Sequence, residues 1–288
     1  MKISLFTFLR NGVSLGYPFV ESIRSALPLA DEYVIALGPS RDGTREALQA
    51  IGDPRIRIID SEWNEAMRVA GFVYGQQKML AQAQCTGDWA FYLEADEVLH
   101  EQDLPAIRGA MERHLGDARI EALVFDYFHF FGSPQWLATS SGWYRRAPRI
   151  IRNTIRSVAY DGLFWNVVVS NRRTRWPRAA LVGAPMYHYG HVRSMASMGA
   201  KSSAVAPYWG ESRSAEGFRY TIDPQALSPF TGTHPQVMRE WLATQANLEF
   251  APDPHQQPTR KERRHRLAAR IERLTGWDLS KKHYTLVG

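Results

Sequence analysis

The chain has 288 residues, 44% of them hydrophobic, a net charge of +6 and a single cysteine, Cys85. That length supports one large enzyme-sized domain with a full core, or one domain with an appendage. The lone cysteine excludes an intrachain disulfide and fits a reducing, cytoplasmic setting, and no apolar run reaches the roughly 18 to 20 residues that a spanning helix needs. Mild basicity suits an anionic partner, such as nucleotide phosphates or an acidic membrane surface, without specifying one. Nucleic acid is not expected. The expectation is a soluble protein, or one peripheral at the inner membrane face.

The opening residues Met1 to Leu9 have a signal-like look, but Arg10-Asn11-Gly12 cuts the run short and no small-residue cleavage site follows. Ile3 to Leu9 is therefore read as a first strand. Pro18 to Leu27 reads as a helix with Phe19, Ile23, Ala26 and Leu27 on one face, ended by Pro28. Tyr33 to Leu37 is a second strand. It runs into the turn-rich loop Gly38-Pro39-Ser40-Arg41-Asp42-Gly43-Thr44, which opens a helix through Leu48 and Ile51. Ile56 to Ile59 gives a third strand, a helix spans about Val69 to Ala83, and Trp89 to Leu93 gives a fourth strand after Gly87. Strands alternating with helices imply a parallel sheet with right-handed crossovers. Ligands of such sheets bind outside the carboxyl ends of the strands, which places Arg10-Asn11, the loop Gly38 to Thr44, and Glu94-Ala95-Asp96 along one edge.

The fourth strand ends in three carboxylates, Glu94, Asp96 and Glu97. If the extended backbone persists past Leu93, Glu94 and Asp96 share a face, an arrangement suited to Mg²⁺ or Mn²⁺, which take one or two carboxylates and complete their shell with water and phosphate oxygens. Taken alone, the same residues read as an acidic loop after a buried strand. The rest of the chain has to decide.

Asp103 caps a helix with Leu104, Ile107, Met111 and Leu115 at helical spacing. Then the style changes. Ala122 to Phe131, Trp143 to Arg152, Phe164 to Val169 and Ala179 to Tyr189 read as strands joined by polar or basic turns, the mixed or antiparallel half of an α/β domain. Ala251 to Pro258 reads as a linker, and Arg260 to Leu274 as a basic helix with Leu267, Ile271 and Leu274 on its apolar face. Such a helix suits an anionic membrane surface, or docks on its own domain by that stripe. The organisation expected is a domain over residues 1–250 and a basic helical extension over 251–288.

The Ser40-Arg41-Asp42-Gly43-Thr44 loop, the Gly87-Asp88-Trp89 strand and Glu94-Ala95-Asp96-Glu97 together resemble the nucleotide-binding half of family 2 glycosyltransferases. Arg149-Ile150-Ile151-Arg152-Asn153, Tyr187-His188-Tyr189-Gly190 and Phe230-Thr231-Gly232-Thr233-His234-Pro235 extend the likeness to bacterial members. The resemblance covers residues 3 to 190, and more loosely continues to about 240. It implies a GT-A-type, Rossmann-like mixed sheet, a nucleotide-diphosphate sugar donor, Mn²⁺ or Mg²⁺, a glycan or lipid-linked acceptor of the cell envelope, and inversion at the sugar carbon.

Position by position, the resemblance assigns Asp96 to the metal and Glu94 to a donor contact, with glutamate standing where the family usually has aspartate. It assigns His188 as a second metal ligand, with His191 as the spare. Read from the residues alone, His188 between Tyr187 and Tyr189 is a hydrogen-bonded core histidine. The usual base-reading aspartate at the end of the second strand is here Leu37, so recognition of the nucleobase passes to Arg10, Asn11 or Asp42. Asp42 also fits ordinary turn and cap chemistry. A general base must deprotonate the acceptor hydroxyl. The register puts Asn166 near the family's position, which an amide cannot fill, and Asp161 is the nearest carboxylate, with Asp126 and Glu97 as alternatives. Lys78 is a candidate phosphate contact by position, and Arg145, Arg146, Arg149 and Arg152 form either an acceptor cluster or the wet face of a strand. Leu37, Glu94 and Asn166 also support a non-catalytic nucleotide- or glycan-binding relative acting as regulator or scaffold. A nucleotidyltransferase is disfavoured because Arg10-Asn11-Gly12-Val13 is no glycine-rich phosphate loop.

Overall fold

The structure, a computed structural model, describes residues 1–67, 69–245, 248 and 250–287. Its centre is the parallel set β1 (Ile3–Leu9), β2 (Glu32–Leu37), β3 (Ile56–Asp60) and β4 (Trp89–Tyr92), in the order β3-β2-β1-β4. β1 and β4 are apolar and buried along nearly their whole length, as strands covered on both faces must be. Helices α1 (Phe19–Ala26) and α4 (Leu104–Leu115) cover one face, where Ile23, Ile107 and Met111 join Leu5, Ile35 and Phe91 in the main core. Between them in the chain come α2 (Thr44–Gln49), α3 (Phe72–Gln82) and the two-residue strand β5 (Glu97–Val98). Ala81 of α3 and Trp165 close the other face over Phe6, Val34 and Tyr92.

The sheet then turns mixed, as the sequence reading of the second half anticipates. β6 (Ala122–Phe131), β7 (Ser133–Ala138) and β8 (Arg146–Arg152) follow; β8 is antiparallel to both β4 and β6. A small separate sheet holds β9 (Ser157–Val158), β10 (Asn166–Ser170) and β11 (Arg173–Arg175). The long strand β12 (Arg178–His191) runs parallel to β6 and antiparallel to β5. Its register sets His188 beside His129 of β6 on one side and beside Glu97 of β5 on the other. α5 (Met195–Val205), β13 (Leu227–Pro229), α6 (Arg239–Thr244), α7 (Arg260–Thr275) and β14 (Thr285–Leu286) complete the described elements.

Several boundaries differ from the sequence reading for identifiable reasons. β4 stops at Tyr92, and Glu94 to Glu97 is a turn closed by the Glu97 N–H donating to Glu94 O at 3.0 Å, so no extended strand carries the carboxylates. The helix expected from Val69 begins at Phe72, because Ala70 and Gly71 take positive φ of 51° and 71°. β8 starts at Arg146, since the Trp143 N–H closes a turn on Ser140 O. The strand expected over Phe164 to Val169 belongs to the small sheet, not the main one. The stretch 251–288 is not only helical: β14 adds to β12 in parallel.

Candidate active site

The turn Glu94 to Glu97 leaves β4 at the carboxyl edge of the parallel strands, and β12 crosses it. The Tyr189 N–H donates to Asp96 O at 2.8 Å, which locks the two segments together. Gly190 lets them close: a Cβ there would stand 2.6 Å from His188 Nε2 and 3.1 Å from Asp96 Oδ2. One ligand atom each from Glu94, Asp96 and His188 lies within 4.8 Å of the others. The expectation of a shared strand face for the carboxylates thus fails while their convergence holds, because a turn and a crossing strand do the work.

These side chains rest on a buried ionic floor. Arg149, fully buried, holds Glu97 through Nε (3.0 and 2.9 Å) and Nη2 (2.7 Å), and its Nη2 also donates to Glu94 Oε1 at 2.6 Å. Tyr127 donates its hydroxyl to Glu97 at 2.6 Å. Glu97, with both oxygens engaged, is a structural group. Burial pushes the Glu94 carboxyl up to about 7 against the pull of Arg149. Burial also raises Asp96, yet Lys201, His188 and Arg193 together hold it well below the usual carboxylate range. Lys201 Nζ stands 2.9 Å from Asp96 Oδ2 and 3.1 Å from Gly190 O, and burial lowers its ammonium to about 8. Arg193 Nη2 is 3.8 Å from Asp96 Oδ2.

The histidine chemistry can be read from its partners. The Tyr144 carbonyl can only accept, so His129 donates Nε2–H to it at 2.8 Å. Burial holds His129 well below its usual range and hence neutral, so its Nδ1 is an acceptor. His188 therefore donates Nδ1–H to His129 at 2.9 Å, which turns its Nε2 toward Asp96 Oδ1 at 3.6 Å. An imidazole whose other nitrogen is tied to a hydrogen-bond partner is the usual state of a metal-bound histidine. The residues present fit a divalent ion.

A cavity of about 460 Å³ opens over this cluster. Glu94, Asp96, His188, His191 and Lys201 line its charged end, and Phe8, Trp63, Tyr74, Tyr208 and Trp209 its aromatic end. Trp63 meets Tyr74 edge-on at 5.4 Å and Tyr208 at 5.8 Å, and its indole lies directly over Gly38, where a side chain has no room. Gly38, the residue after Leu37, is thus a seat for an indole. Leu37 itself is buried in the core.

Of the residues singled out from sequence, Arg10, Asn11, Glu94, Asp96, Asp161 and His188 all line this cavity. Arg10 pairs with Glu65, donates to Tyr208 Oη at 3.1 Å and lies over Trp63 at 5.1 Å. Asp42 does not line the cavity. It accepts from Ser14 N at 2.8 Å and Thr44 Oγ1 at 2.5 Å, as turn chemistry dictates. Lys78 lies beneath the cavity, between Tyr92 (4.0 Å) and Trp165 (3.8 Å), and donates to Leu163 O at 3.1 Å. Burial pushes its pKa well down. It supports the loop that carries Asp161 and does not meet the cavity. The arginine group disperses: Arg145 pairs with Glu272, Arg146 with Asp126, and Arg152 with the closing carbonyls of α4. Asn166 sits in β10, away from the cavity lining.

Sequence reasoning missed His129, Trp63 and Lys201. Lys201 had a signal, as the one charged residue in α5, whose sequence is MASMGAKSSAV. His129 shares with Tyr127 one face of an otherwise apolar strand, a pattern more often structural.

Residues 17–125 match the family described as Glycosyl transferase family 2. No curated protein matches the chain. Among solved structures, TarS of S. aureus is similar at 16% identity and a TM-score of 0.41, over 72% of this chain and 39% of that one. TarS 1–349 in complex with UDP gives 16% identity and a TM-score of 0.40, over 72% and 70%. Glucosyl-3-phosphoglycerate synthase from Mycobacterium tuberculosis, in complex with Mn²⁺, UDP and phosphoglyceric acid, gives 19% and 0.31, over 44% and 43%. The chain spans less than half the length of the full TarS and synthase structures.

Proposed function

We propose that this chain, whose residues 17–125 match glycosyl transferase family 2, transfers a sugar from a nucleotide-diphosphate donor to a hydroxyl of a glycan or lipid-linked acceptor, with a divalent ion and with inversion. The observation that carries this reading is the convergence of Glu94, Asp96 and His188 within 4.8 Å on the floor of the cavity, with His188 Nε2 turned toward Asp96 Oδ1 at 3.6 Å. Asp96, His188 and Glu94 would hold Mn²⁺ or Mg²⁺, which supplies positive charge where the departing diphosphate gathers negative charge. Arg149 fixes Glu94 in place, so the glutamate reaches toward the donor from a rigid base. Phe8, Trp63, Tyr74 and Tyr208 offer the base ring faces to stack on, and Arg10 and Asn11 offer it polar contacts. Asp161 takes the acceptor proton. Its Oδ1 accepts the Leu163 and Phe164 N–H groups, and Oδ2 has no hydrogen bond among the described residues, which leaves that oxygen for the hydroxyl.

The test is a panel of nucleotide sugars scored for metal-dependent thermal stabilisation, since ligand binding to the native state raises apparent stability. The preferred donor should then release nucleotide diphosphate in Mn²⁺ or Mg²⁺, and Asp96→Asn should lower that release by about 10²- to 10³-fold, the scale of losing one preorganised charge-stabilising group. Turnover unchanged in chelator would remove the metal from the reading.

A membrane-facing role for α7 belongs to the same proposal. The helix is bound to its domain by polar groups: Arg266 pairs with Asp223 at 2.6 Å and Glu272 with Arg145 at 2.7 Å. The apolar residues face outward, with Leu267 58%, Leu274 87% and Trp277 66% exposed. Arg260, Arg263, Arg264 and Arg270, all exposed, flank that stripe. Two copies meeting there would set arginine against arginine, whereas an anionic lipid surface satisfies both features. No described helix is long and apolar enough to cross a membrane. Co-sedimentation with phosphatidylglycerol vesicles, absent with phosphatidylcholine alone and lost in Leu267→Glu/Leu274→Glu, is the expected result. Equal binding by that double variant would remove the membrane from the proposal.

A further inference from the structure

Three carboxylates meet beneath the cavity, Glu94, Asp96 and Glu97, and three cations meet them. Arg149 pairs with Glu94 and Glu97, while Lys201 and Arg193 face Asp96. Each of these carboxylates therefore already has a cationic partner without any metal. Lys201 is the cation that lies against the position a metal would take: its Nζ is 2.9 Å from Asp96 Oδ2, it lines the cavity, and it stands over the Tyr17 ring at 4.7 Å. Arg193, by contrast, is committed elsewhere, with Nε on Gly16 O at 3.2 Å and Nη1 on Gly190 O at 2.6 Å. Arg149 is pinned below by four bonds to carboxylates and one to Leu163 O.

We infer that Lys201 is a resident counter-cation of Asp96 that a divalent ion must displace, and that the displaced ammonium moves to the donor diphosphate. The inference rests on the metal-dependent reading above and deepens it. A divalent ion entering alone adds two positive charges to carboxylates that already have cationic partners and strands the Lys201 ammonium in a cavity wall. The same ion entering with a nucleotide diphosphate brings its own counter-charge, and Lys201 gains phosphate oxygens in exchange for Asp96. Metal and donor therefore bind as a coupled pair, and linkage requires the coupling to be mutual. In the donor-free enzyme Lys201 also keeps Asp96 positioned, where an unpaired buried carboxylate would be costly. The long unbranched lysine side chain suits this exchange, since its ammonium is a point charge on a flexible stem.

The test measures Mn²⁺ binding directly, by the paramagnetic resonance signal of the free ion, with and without UDP. It uses the wild-type chain, Lys201→Met and Lys201→Arg, each checked by thermal melting for an intact fold. In the wild type UDP should tighten Mn²⁺ by about tenfold or more, within the usual range of coupling between sites. Lys201→Met should bind Mn²⁺ about tenfold more tightly than wild type without UDP and lose most of the UDP effect. Lys201→Arg, which keeps the charge, should stay close to wild type. A folded Lys201→Met with wild-type Mn²⁺ affinity in the absence of UDP overturns the inference and leaves the metal reading intact. Should Lys201→Met not fold, absence of UDP coupling in the wild type overturns it instead. If none of the three proteins binds Mn²⁺, even with UDP, the metal reading itself has failed.

Discussion

At one end of the cavity Glu94, Asp96 and His188 are set among buried cations, while at the other Phe8, Trp63, Tyr74 and Tyr208 pack ring against ring. The charged end is fixed by directional bonds, including the one that orients the His188 ring on His129, so its ligand must match in charge and position. The aromatic end is fixed by packing, and a ring face accepts any base. The difference teaches that metal and diphosphate should be recognised strictly here, and that selection of the base falls to the few polar groups near Trp63.

Replacing Arg149 should have the largest effect of the substitutions that separate these ends. Arg149→Leu strands Glu97 and Glu94 without their partner, and breaking a buried pair from one side costs about 3–5 kcal/mol. The denaturation midpoint should fall sharply, and a loss below about 1 kcal/mol, the scale of an exposed pair, would show the floor to be looser than its geometry. His129→Phe comes next. It keeps a ring in place but removes the acceptor that orients His188, and loss of such a partner typically costs about 10- to 100-fold in metal affinity. Unchanged Mn²⁺ affinity would mean that His188 needs no orienting partner. Trp63→Ala acts at the other end. Loss of a stacking partner is worth about 1–3 kcal/mol per base, so UDP affinity should drop while Mn²⁺ affinity measured without nucleotide stays put. Chelation provides the smallest contrast. UDP binding should weaken in chelator, whereas uridine, which lacks phosphates, should bind the aromatic end equally well with or without metal.

How much of this was legible depended on the distance over which residues come together. The parallel strands announced themselves by apolar runs between turns, and Asp96 by its place after the fourth. His188 stood out through Tyr187-His188-Tyr189-Gly190, and Gly190 gains its reason only when the crossing of β12 over the turn is seen. Asp42 and Lys78 were candidates by position only, each with an ordinary structural reading beside it. One was absorbed by its own turn and the other by an aromatic slot, outcomes set by packing that no local pattern reports. His129 and Lys201 were invisible for the converse reason. Each is ordinary in its own element, and each matters because β6 and α5 deliver it beside a residue far away in the chain.

One backbone atom ties the two sides of the cavity together. The Leu163 carbonyl receives both Lys78 Nζ and Arg149 Nη1, each at 3.1 Å. Arg149 thus holds with one hand Glu94 and with the other the loop of Asp161, the two carboxylates that the proposed reaction assigns to donor and acceptor. In the proposed reaction that floor would act as a jig, setting attacking and leaving groups in line. A substitution that loosens it would misalign both partners at once, so turnover would suffer more than the binding of either substrate alone.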